Sequence, residues 1–415
     1  MEIKRDRYLN RIIKRKWNGS IKVITGVRRC GKSYLLFKLF KKHLLSEGVE
    51  PQDIIAIELD DIRNTHLREP MALYEKIVGS AKGDKCYVLL DEIQLVERFE
   101  DVMNGLIRIP NIDVYVTGSN SKMLSKDIIT EFRGRGDEIK IHPFSFSEFA
   151  TAYPGREEEA WKLYQTFGGM PELLTRTDEE QKITYLQNLL KKVYLKDIKE
   201  RNEIRLENEL DQIVDLLYSS VGSLTNPLKV SNTMRSVNNS GIDEETVSRY
   251  LGFIEDAFLF ERSKRYDLKG KKYFDTPSKY YASDIGLRNV RLNFRQQEET
   301  HIMENIIYNE LSSRGFSVDI GVIEIRPIEA GVKEYKQLEI DFVANKGSQR
   351  YYIQSAYRIS DKEKEEKELR PFLKARDSFK KILVVGDDIY PKRDENGVLT
   401  IGIRQFLMDE NSLDI

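Results

Sequence analysis

The sequence predicts an α/β protein whose first third forms a parallel, doubly wound sheet. Short apolar runs at Ile21–Thr25, Ile54–Leu59, Tyr87–Leu90 and Ile112–Thr117 alternate with stretches of helical spacing. Buried strands separated by helices are typical of parallel sheets. Helical spacing dominates after about residue 150, and the pattern becomes mixed again after about residue 300. We therefore expect three domains, over 1–150, 151–295 and 296–415.

Length and composition narrow the class of protein further. The chain has 415 residues, which is too long for one typical core, and its 67 Lys and Arg residues balance 68 Asp and Glu residues. This balance excludes a globally basic nucleic-acid coat. Mean hydropathy is −0.51, and no apolar run approaches the roughly 18–20 residues that a membrane helix needs. Two cysteines exclude a disulfide scaffold, and we expect a cytoplasmic protein without membrane contact.

Apolar residues three and four positions apart predict the helices between these strands. They span Lys32–Leu45, Met71–Ser80 and Phe99–Ile107. In the middle third, 157–220 is predicted to be largely helical, and Val247–Phe260 is the clearest helix. Gly270, between polar and aromatic residues, predicts a small hairpin over Tyr266–Tyr281.

The C-terminal third mixes one predicted helix with several strands. The helix covers His301–Arg314, and the charge run at Asp361–Leu369 predicts a solvated helix face. Short apolar runs predict strands at Glu339–Ala344, Tyr351–Ala356 and Lys381–Val385.

Residues 26–33 match the pattern G-x-x-x-x-G-K-S between a predicted strand and a predicted helix. Glycines let backbone N–H groups face a phosphate, and the helix N-terminus adds positive potential. Lys32 supplies a charge for the β and γ phosphates, and the Ser33 hydroxyl is suited to Mg²⁺. The motif predicts an ATP and Mg²⁺ site formed by Gly26, Val27, Arg28, Arg29, Cys30, Gly31, Lys32, Ser33 and Tyr34.

Two carboxylates follow the apolar run at Tyr87–Leu90. Asp91 is suited to hold Mg²⁺, directly or through water, and Glu92 is suited to act as the general base for an attacking water. An acidic pair after a strand is common by itself. Because a phosphate loop precedes it by about sixty residues, we expect ATP hydrolysis rather than binding alone.

Two further segments are candidates for catalysis. Asn120 or Ser119, after the strand at Ile112–Thr117, can orient water, and the alternative is a helix cap. Arg133 and Arg135 alternate with glycines, and an arginine donated to the γ phosphate can raise the rate by orders of magnitude. The alternative is a surface turn with two solvated charges. Action in cis and action in trans are both open, as is the oligomeric state.

Four segments together resemble a large family of prokaryotic AAA-type ATPases with a C-terminal domain of unknown function. They are TGVRRCGKS, YVLLDEIQ, TGSNSKML and FRGRGDEIKIHPFSFSEF. The resemblance continues through GGMPELL, YLKDIKERN and YYASDIGLRN in the middle region, and through EIDFVA and YYIQSAY near the C-terminus. It implies an AAA-like nucleotide domain of the P-loop type and covers nearly the whole chain.

The resemblance also implies a winged-helix module over about 205–295. Ser248, Arg249 and Arg235 are then candidates for contact with DNA. Five cations surround the predicted hairpin, where a wing would lie, and they can neutralise several phosphates. They are Lys264, Arg265, Lys269, Lys271 and Lys272. The alternative is a protein-binding module or a lid on the ATPase.

The C-terminal third follows the residue order of restriction-endonuclease-like nucleases. Glu304 lies on a predicted helix, Asp341 on a strand and Gln354 on the next strand, where carboxylates gather Mg²⁺ and a lysine assists. Ala356 occupies the position of that lysine, and Lys346 in the intervening turn is the nearest candidate to replace it. We therefore expect a nuclease-like fold with a degenerate site. The alternative is an α/β core in which these polar groups are structural.

Together these features predict a Mg²⁺-dependent ATPase that couples nucleotide state to movement of its C-terminal domains and acts on DNA or a DNA-associated partner. A nucleotide-gated binding switch and an ATP-regulated nuclease are the alternatives. The N-terminal cations are expected on a solvated helix that packs through Leu9, Ile12, Ile13 and Trp17. These cations are Lys4, Arg5, Arg7, Arg11, Lys14, Arg15 and Lys16.

Overall fold

The computed structural model describes residues 3–118, 134–296, 298–325, 328–329, 332–333, 336–375 and 377–415. These residues form two compact units. The first contains the described residues up to Pro143 together with Asp256–Phe258, and the second contains Phe144–Glu255 and Leu259–Ile415. The predicted boundaries near residues 150 and 295 stay predictions. Within the described part of the chain, no helix is long and apolar enough to cross a membrane.

The first unit is built on a five-stranded parallel sheet, which confirms the predicted fold class of the N-terminal third. Its strands are β1 (Ile21–Thr25), β2 (Ile54–Glu58), β3 (Cys86–Asp91), β4 (Ile112–Thr117) and β5 (Gly136–Lys140). They lie in the order β2-β3-β4-β1-β5. Every residue of β1, β3 and β4 is buried, as expected for a parallel sheet that is covered on both faces.

Helices pack against this sheet along the spacing that the sequence predicts. They are α1 (Asp6–Ile13), α2 (Lys32–Tyr34), α3 (Lys41–Ser46), α4 (Pro70–Ser80) and α5 (Phe99–Leu106). A π-helical stretch at Leu35–Phe40 lies between α2 and α3. Apolar side chains of α4 and α5, among them Leu73 and Met103, form one core with Val88 and Val114 of the sheet.

The chain after Pro143 forms helices before, between and after the strands of a second sheet. In the described residues these are α6 (Phe146–Ala152), α7 (Glu157–Phe167), α8 (Glu179–Asn188), α9 (Lys196–Arg201), α10 (Glu207–Ser219), α11 (Pro227–Asn238), α12 (Glu244–Asp256), α13 (Ile285–Arg291), α14 (Glu299–Ser313), α15 (Lys362–Ala375) and α16 (Ile403–Met408). A π-helical stretch at Leu189–Leu195 joins α8 to α9. Helices are thus present within 157–220 as predicted, whereas the helix predicted over Val247–Phe260 is α12, which ends at Asp256, and Phe260 begins a strand.

The second unit also contains an eight-stranded mixed sheet. Its strands are β6 (Phe260–Asp267), β7 (Lys272–Ala282), β8 (Ser317–Ile325), β11 (Lys336–Lys346), β12 (Gln349–Ala356), β13 (Lys380–Val385), β14 (Lys392–Arg393) and β15 (Leu399–Gly402). Two short strands, β9 (Ile328–Glu329) and β10 (Val332–Lys333), pair with each other in a separate two-stranded sheet. The predicted hairpin forms from β6 and β7. Because β6 pairs with β8 in parallel, this hairpin belongs to the same sheet as the C-terminal strands.

Two segments of the middle third meet at the buried carboxylate of Asp284. Its Oδ2 accepts the N–H of Gly169 at 2.7 Å, and its Oδ1 accepts the N–H of Leu287 at 3.1 Å and caps α13. A Cβ on Gly168 would lie 2.3 Å from Oδ1, so a glycine is needed there. Burial raises the pKa of Asp284 to about 6, although these backbone donors lower it.

We expect Asp284 to make stability depend on pH. Its folded-state pKa of about 6 lies above the ordinary 3.8, so the carboxyl stabilises the fold fully below pH 3.8 and this contribution is lost as pH rises through 6. Denaturant unfolding followed by circular dichroism at pH 4 and pH 7 measures the effect. The stability lost between these values should be about 2 kcal/mol smaller in Asp284→Asn than in the wild type. The same pH dependence of stability in the wild type and in Asp284→Asn would contradict the raised pKa of Asp284.

Candidate active site

The phosphate loop, residues 26–33, joins β1 to α2 through a backbone that requires glycine at two points. Gly26 has a φ of +137°, and a Cβ there would lie 2.1 Å from the carbonyl oxygen of Ile141. Gly31 has a φ of +99° and forms the N-cap of α2. Both conformations are accessible to glycine at little cost. They give the loop the curl that its sequence pattern predicts.

The side chain of Lys32 lies across this loop. Its ammonium donates hydrogen bonds to the carbonyl oxygens of Gly26 and Val27, both at 2.9 Å, and the residue is buried. A phosphate oxygen would be a charged acceptor for the same ammonium, and charge-assisted hydrogen bonds are stronger than those to carbonyl groups. The position of Lys32 is therefore compatible with its predicted role.

The other side chains of the loop divide between the core and the solvent. Val27 and Cys30 are buried, and the Cys30 thiol donates to the carbonyl of Ile141 at 3.7 Å. These two residues can reach a ligand only through their backbone. The side chains that reach solvent wholly or in part are those of Arg28, Arg29, Ser33 and Tyr34.

Asp91, at the end of β3, lies beside the end of β4. The hydroxyl of Thr117 donates to the Asp91 carboxylate and accepts the N–H of Glu92 at 3.2 Å. The hydroxyl of Ser33 also hydrogen-bonds to Asp91, so the two predicted Mg²⁺ ligands are neighbours. Thr117 is a site residue that the sequence did not identify. Its only signal is that it ends the strand that pairs with β3.

The electrostatics of this corner favour a cation. Burial raises the pKa of Asp91, the hydroxyls of Ser33 and Thr117 lower it, and the negative charges of Glu92 and Asp60 raise it again. A buried carboxylate beside other negative charges is stabilised by a nearby positive charge. Mg²⁺ prefers such oxygen ligands and completes its shell with phosphates and water, so Ser33 and Asp91 fit this ion.

Glu92 follows Asp91 in an uncommon backbone conformation. Its φ of +51° is left-handed, which non-glycine residues adopt at a cost and often at functional sites. The side-chain amide of Gln94 donates to its carboxylate. Gln94 therefore holds the predicted general base, and sequence reasoning did not identify it.

The predicted catalytic arginine at position 135 lies at the wrong end of the sheet to reach the phosphate loop of its own chain. Arg135 immediately precedes β5, and its carbonyl accepts the N–H of Ile21 at the start of β1. The loop follows the other end of β1, about 16 Å away at 3.3 Å per residue. This distance weighs against a cis role for Arg135, and that role stays a prediction. Ser119, Asn120 and Arg133 lie outside the described residues, and their roles stay predictions.

In the second unit, the predicted nuclease residues lie close together. The Oε1 of Gln354 accepts the N–H of Asp341 at 3.3 Å across β11 and β12. Burial and the negative charge of Glu304 on α14 raise the pKa of Asp341 well above its ordinary value. All three side chains are buried. Among the described residues, no group of three or more His, Cys, Asp or Glu is arranged to hold a metal.

A lysine completes this cluster, but it comes from β7. The ammonium of Lys279 lies 2.9 Å from Glu304 Oε1 and 2.7 Å from Glu339 Oε1, and the Tyr281 hydroxyl donates to Glu304 at 2.7 Å. Burial lowers the pKa of Lys279, but the surrounding carboxylates raise it more, so the ammonium stays charged. Lys346 instead donates to the carbonyl of Arg314 at 2.9 Å.

The cations of the hairpin differ in exposure. Arg265 is buried, lies over the ring of Phe274 at 5.0 Å and donates to Gln337. It is therefore structural and is not available to DNA. The other predicted contact residues are exposed: Arg235, Ser248, Arg249, Lys264, Lys269, Lys271 and Lys272.

Two protein-family models match consecutive parts of the chain. The model of the family described as "AAA domain" matches residues 18–150, and that of a domain of unknown function (DUF8612) matches residues 158–298. The first match spans the sheet, the phosphate loop and the acidic pair. The AAA assignment of the first unit therefore agrees with its structure.

Relatives extend the similarity to nearly the whole chain. An uncharacterised protein of Haemophilus influenzae is 33% identical over 98% of both chains. The uncharacterised protein MJ1544 of Methanocaldococcus jannaschii is 30% identical over 94% of this chain and 88% of its own length. The structure of the Aeropyrum pernix ORC1 protein in complex with DNA aligns with 71% of this chain and 93% of its own at 11% identity, with a TM-score of 0.28.

We expect Lys279→Met to destabilise the second unit strongly. The substitution leaves the buried carboxylate of Glu304 and the half-buried carboxylate of Glu339 without their cation, and breaking a buried ion pair such as Lys279–Glu304 typically costs about 3–5 kcal/mol. Thermal unfolding should show a lower melting temperature. Lys272→Met, which removes an exposed cation from the same strand, is the control and should change stability little. Equal effects of the two substitutions would contradict this role of Lys279.

Proposed function

The chain belongs to the same protein family as the relatives from Haemophilus influenzae and Methanocaldococcus jannaschii, and we propose that it is a Mg²⁺-dependent ATPase. The observation that carries the proposal is the contact of Asp91 with both Ser33 and Thr117. This contact joins the phosphate loop to the acidic end of β3. A nucleotide phosphate on the loop would then lie beside the general base.

Each residue has a distinct task in this proposal. The loop N–H groups and Lys32 bind the phosphates, and Ser33 and Asp91 hold Mg²⁺, which neutralises negative charge on the phosphate oxygens when bound. Glu92 accepts the proton of the attacking water. The amide of Gln94 donates to the same carboxylate, so Gln94 would orient the base.

We further propose that hydrolysis drives movement of the second unit on DNA or on a DNA-associated partner. The exposed cations at Lys264, Lys269, Lys271 and Lys272 support a polyanionic partner, since each can neutralise a phosphate. An arginine from a neighbouring copy of the chain would complete the catalytic site, because Arg135 is too far from its own phosphate loop. The proposed active form is therefore an oligomer.

A second candidate function is the hydrolysis of phosphodiesters in the second unit. The observation that favours it is the position of Lys279 beside Glu304 and near Asp341, because the sequence pattern lacks its lysine at Ala356. Two carboxylates are sufficient for Mg²⁺ when a substrate phosphate supplies further ligands. Lys279 would then stabilise the charge that develops on the attacked phosphate.

Substitutions in the first unit test the ATPase directly. Lys32→Ala should abolish ATP binding, and Glu92→Gln should bind ATP but turn it over at least about 10²-fold more slowly, since it lacks the general base. Steady-state phosphate release and binding of a fluorescent ATP analogue measure the two steps. Lys38→Ala, an exposed lysine between α2 and α3, is the control. Wild-type turnover in Glu92→Gln would refute its role, and slow turnover in the wild type would favour a nucleotide-gated switch.

Plasmid cleavage with Mg²⁺ or Mn²⁺ tests the second candidate. Nicked or linear DNA should appear with the wild type and disappear with Asp341→Asn. Asp275→Asn, which changes an exposed carboxylate of the hairpin, should cleave like the wild type. Plasmid that stays supercoiled with the wild type, with and without ATP, would exclude cleavage of this substrate.

A further inference from the structure

Arg5 is a buried cation in the first unit that the sequence wrongly assigned to a solvated helix. The side chain is 1% exposed and belongs to the N-cap residue of α1. One guanidinium nitrogen donates to the carbonyl of Cys30 at 2.8 Å, and another donates to the carbonyl of His142 at 2.9 Å. Arg5 thus joins the phosphate loop to the segment that follows β5.

The surroundings of Arg5 suit a guanidinium. Two of its acceptors come from separate segments, and the planar guanidinium presents N–H donors on different nitrogens to them, whereas lysine carries its donors on one nitrogen. The guanidinium also lies 4.5 Å from the ring of Tyr8, whose hydroxyl accepts the N–H of His142 at 3.3 Å. Arg5, Tyr8 and His142 therefore form one hydrogen-bonded group beneath the loop.

The contact with Cys30 determines the direction of a loop N–H group. The carbonyl of Cys30 and the N–H of Gly31 belong to one peptide unit, and a planar trans peptide points these two groups in opposite directions. While Arg5 binds the carbonyl, the N–H of Gly31 faces away from Arg5. The position of a Cβ on Gly31 would lie 3.7 Å from the guanidinium, so Arg5 packs directly against this peptide.

A reversed peptide would be harmful at a phosphate site. With its φ of +99°, Gly31 has the conformational freedom of a glycine, and its peptide can rotate at little steric cost. A rotation would replace the N–H that faces the ligand with a carbonyl oxygen. The oxygen would repel a phosphate that the N–H would have bound, because the motif binds phosphates through backbone donors.

We infer that Arg5 is a positioning residue for nucleotide binding, which fixes the Cys30–Gly31 peptide with its N–H toward the phosphates. The inference rests on the ATP binding proposed above and adds a residue from outside the recognised motifs. Arg5 acts through the loop and does not touch the γ phosphate. Its loss should therefore weaken ATP and ADP binding by the same factor and leave the hydrolysis step unchanged.

Titration of fluorescent ATP and ADP analogues into the full chain tests this inference. Arg5→Gln should raise the Kd of both nucleotides about tenfold or more, the scale of one hydrogen bond to a charged group. Arg5→Lys should give an intermediate loss, since it keeps the positive charge and N–H donors but places the donors on a single nitrogen. Lys4→Gln removes the exposed neighbouring cation and should bind like the wild type. In turnover assays, the Arg5 variants should raise KM with little change in kcat.

Two further measurements separate positioning from stability. Added guanidinium ion should recover part of the affinity of Arg5→Ala, whereas a general loss of stability would become worse with it. The melting temperature without nucleotide shows whether each variant is folded at the temperature of the titration. If Arg5→Ala is unfolded at that temperature, the folded Arg5→Lys variant takes its place in the affinity measurement.

The outcomes distinguish this inference from the proposed function. Normal nucleotide affinity in folded Arg5 variants would overturn it, and so would a loss confined to ATP, which would indicate contact with the γ phosphate. A wild-type chain that binds no nucleotide would overturn the proposed function and, with it, this inference.

Discussion

The parallel direction of β1, β3 and β4 is the constraint on which the candidate site depends. Strands that run the same way end at the same edge of a sheet, and in open α/β sheets ligands bind outside those ends. The phosphate loop follows β1, Asp91 ends β3 and Thr117 ends β4. The hydrogen bonds between Asp91 and its two hydroxyl partners thus follow from the strand order, since no local sequence signal brings them together.

Buried charged side chains, as well as apolar packing, hold the elements of the second unit together. Lys279 lies among the carboxylates of α14 and β11, and Asp284 joins the segment at Gly169 to α13. A buried charge without its partners would be costly at either position, so the ion pairs of Lys279 and the backbone hydrogen bonds of Asp284 favour one arrangement of strands and helices over others. The contacts of Lys279 also join β7 to Glu304 and Glu339 of the C-terminal third, and β6 of the same hairpin pairs with β8.

The sequence predicted local features well and missed features that depend on distant pairing. The phosphate loop and the alternating strands are visible because glycine spacing and apolar runs are properties of adjacent residues. Arg5 was assigned to solvent, since its acceptor at His142 is 137 residues away. Thr117 and Lys279 were missed for the same reason, because only the strand order places them beside Asp91 and Glu304. Buried cations are rare, so a charged residue is placed at the surface until its partners are known.

The same parallel geometry determines where an arginine can complete the site. Arg135 lies at the start of β5, and β5 pairs with β1 over its whole length, so the full strand separates Arg135 from the phosphate loop. An arginine at the start of a parallel strand lies at the edge opposite the ligand, where a second copy of the chain could present its own loop. Hydrolysis that is supported by Arg135 would therefore require contact between copies, and ATP turnover would depend on the concentration of the protein.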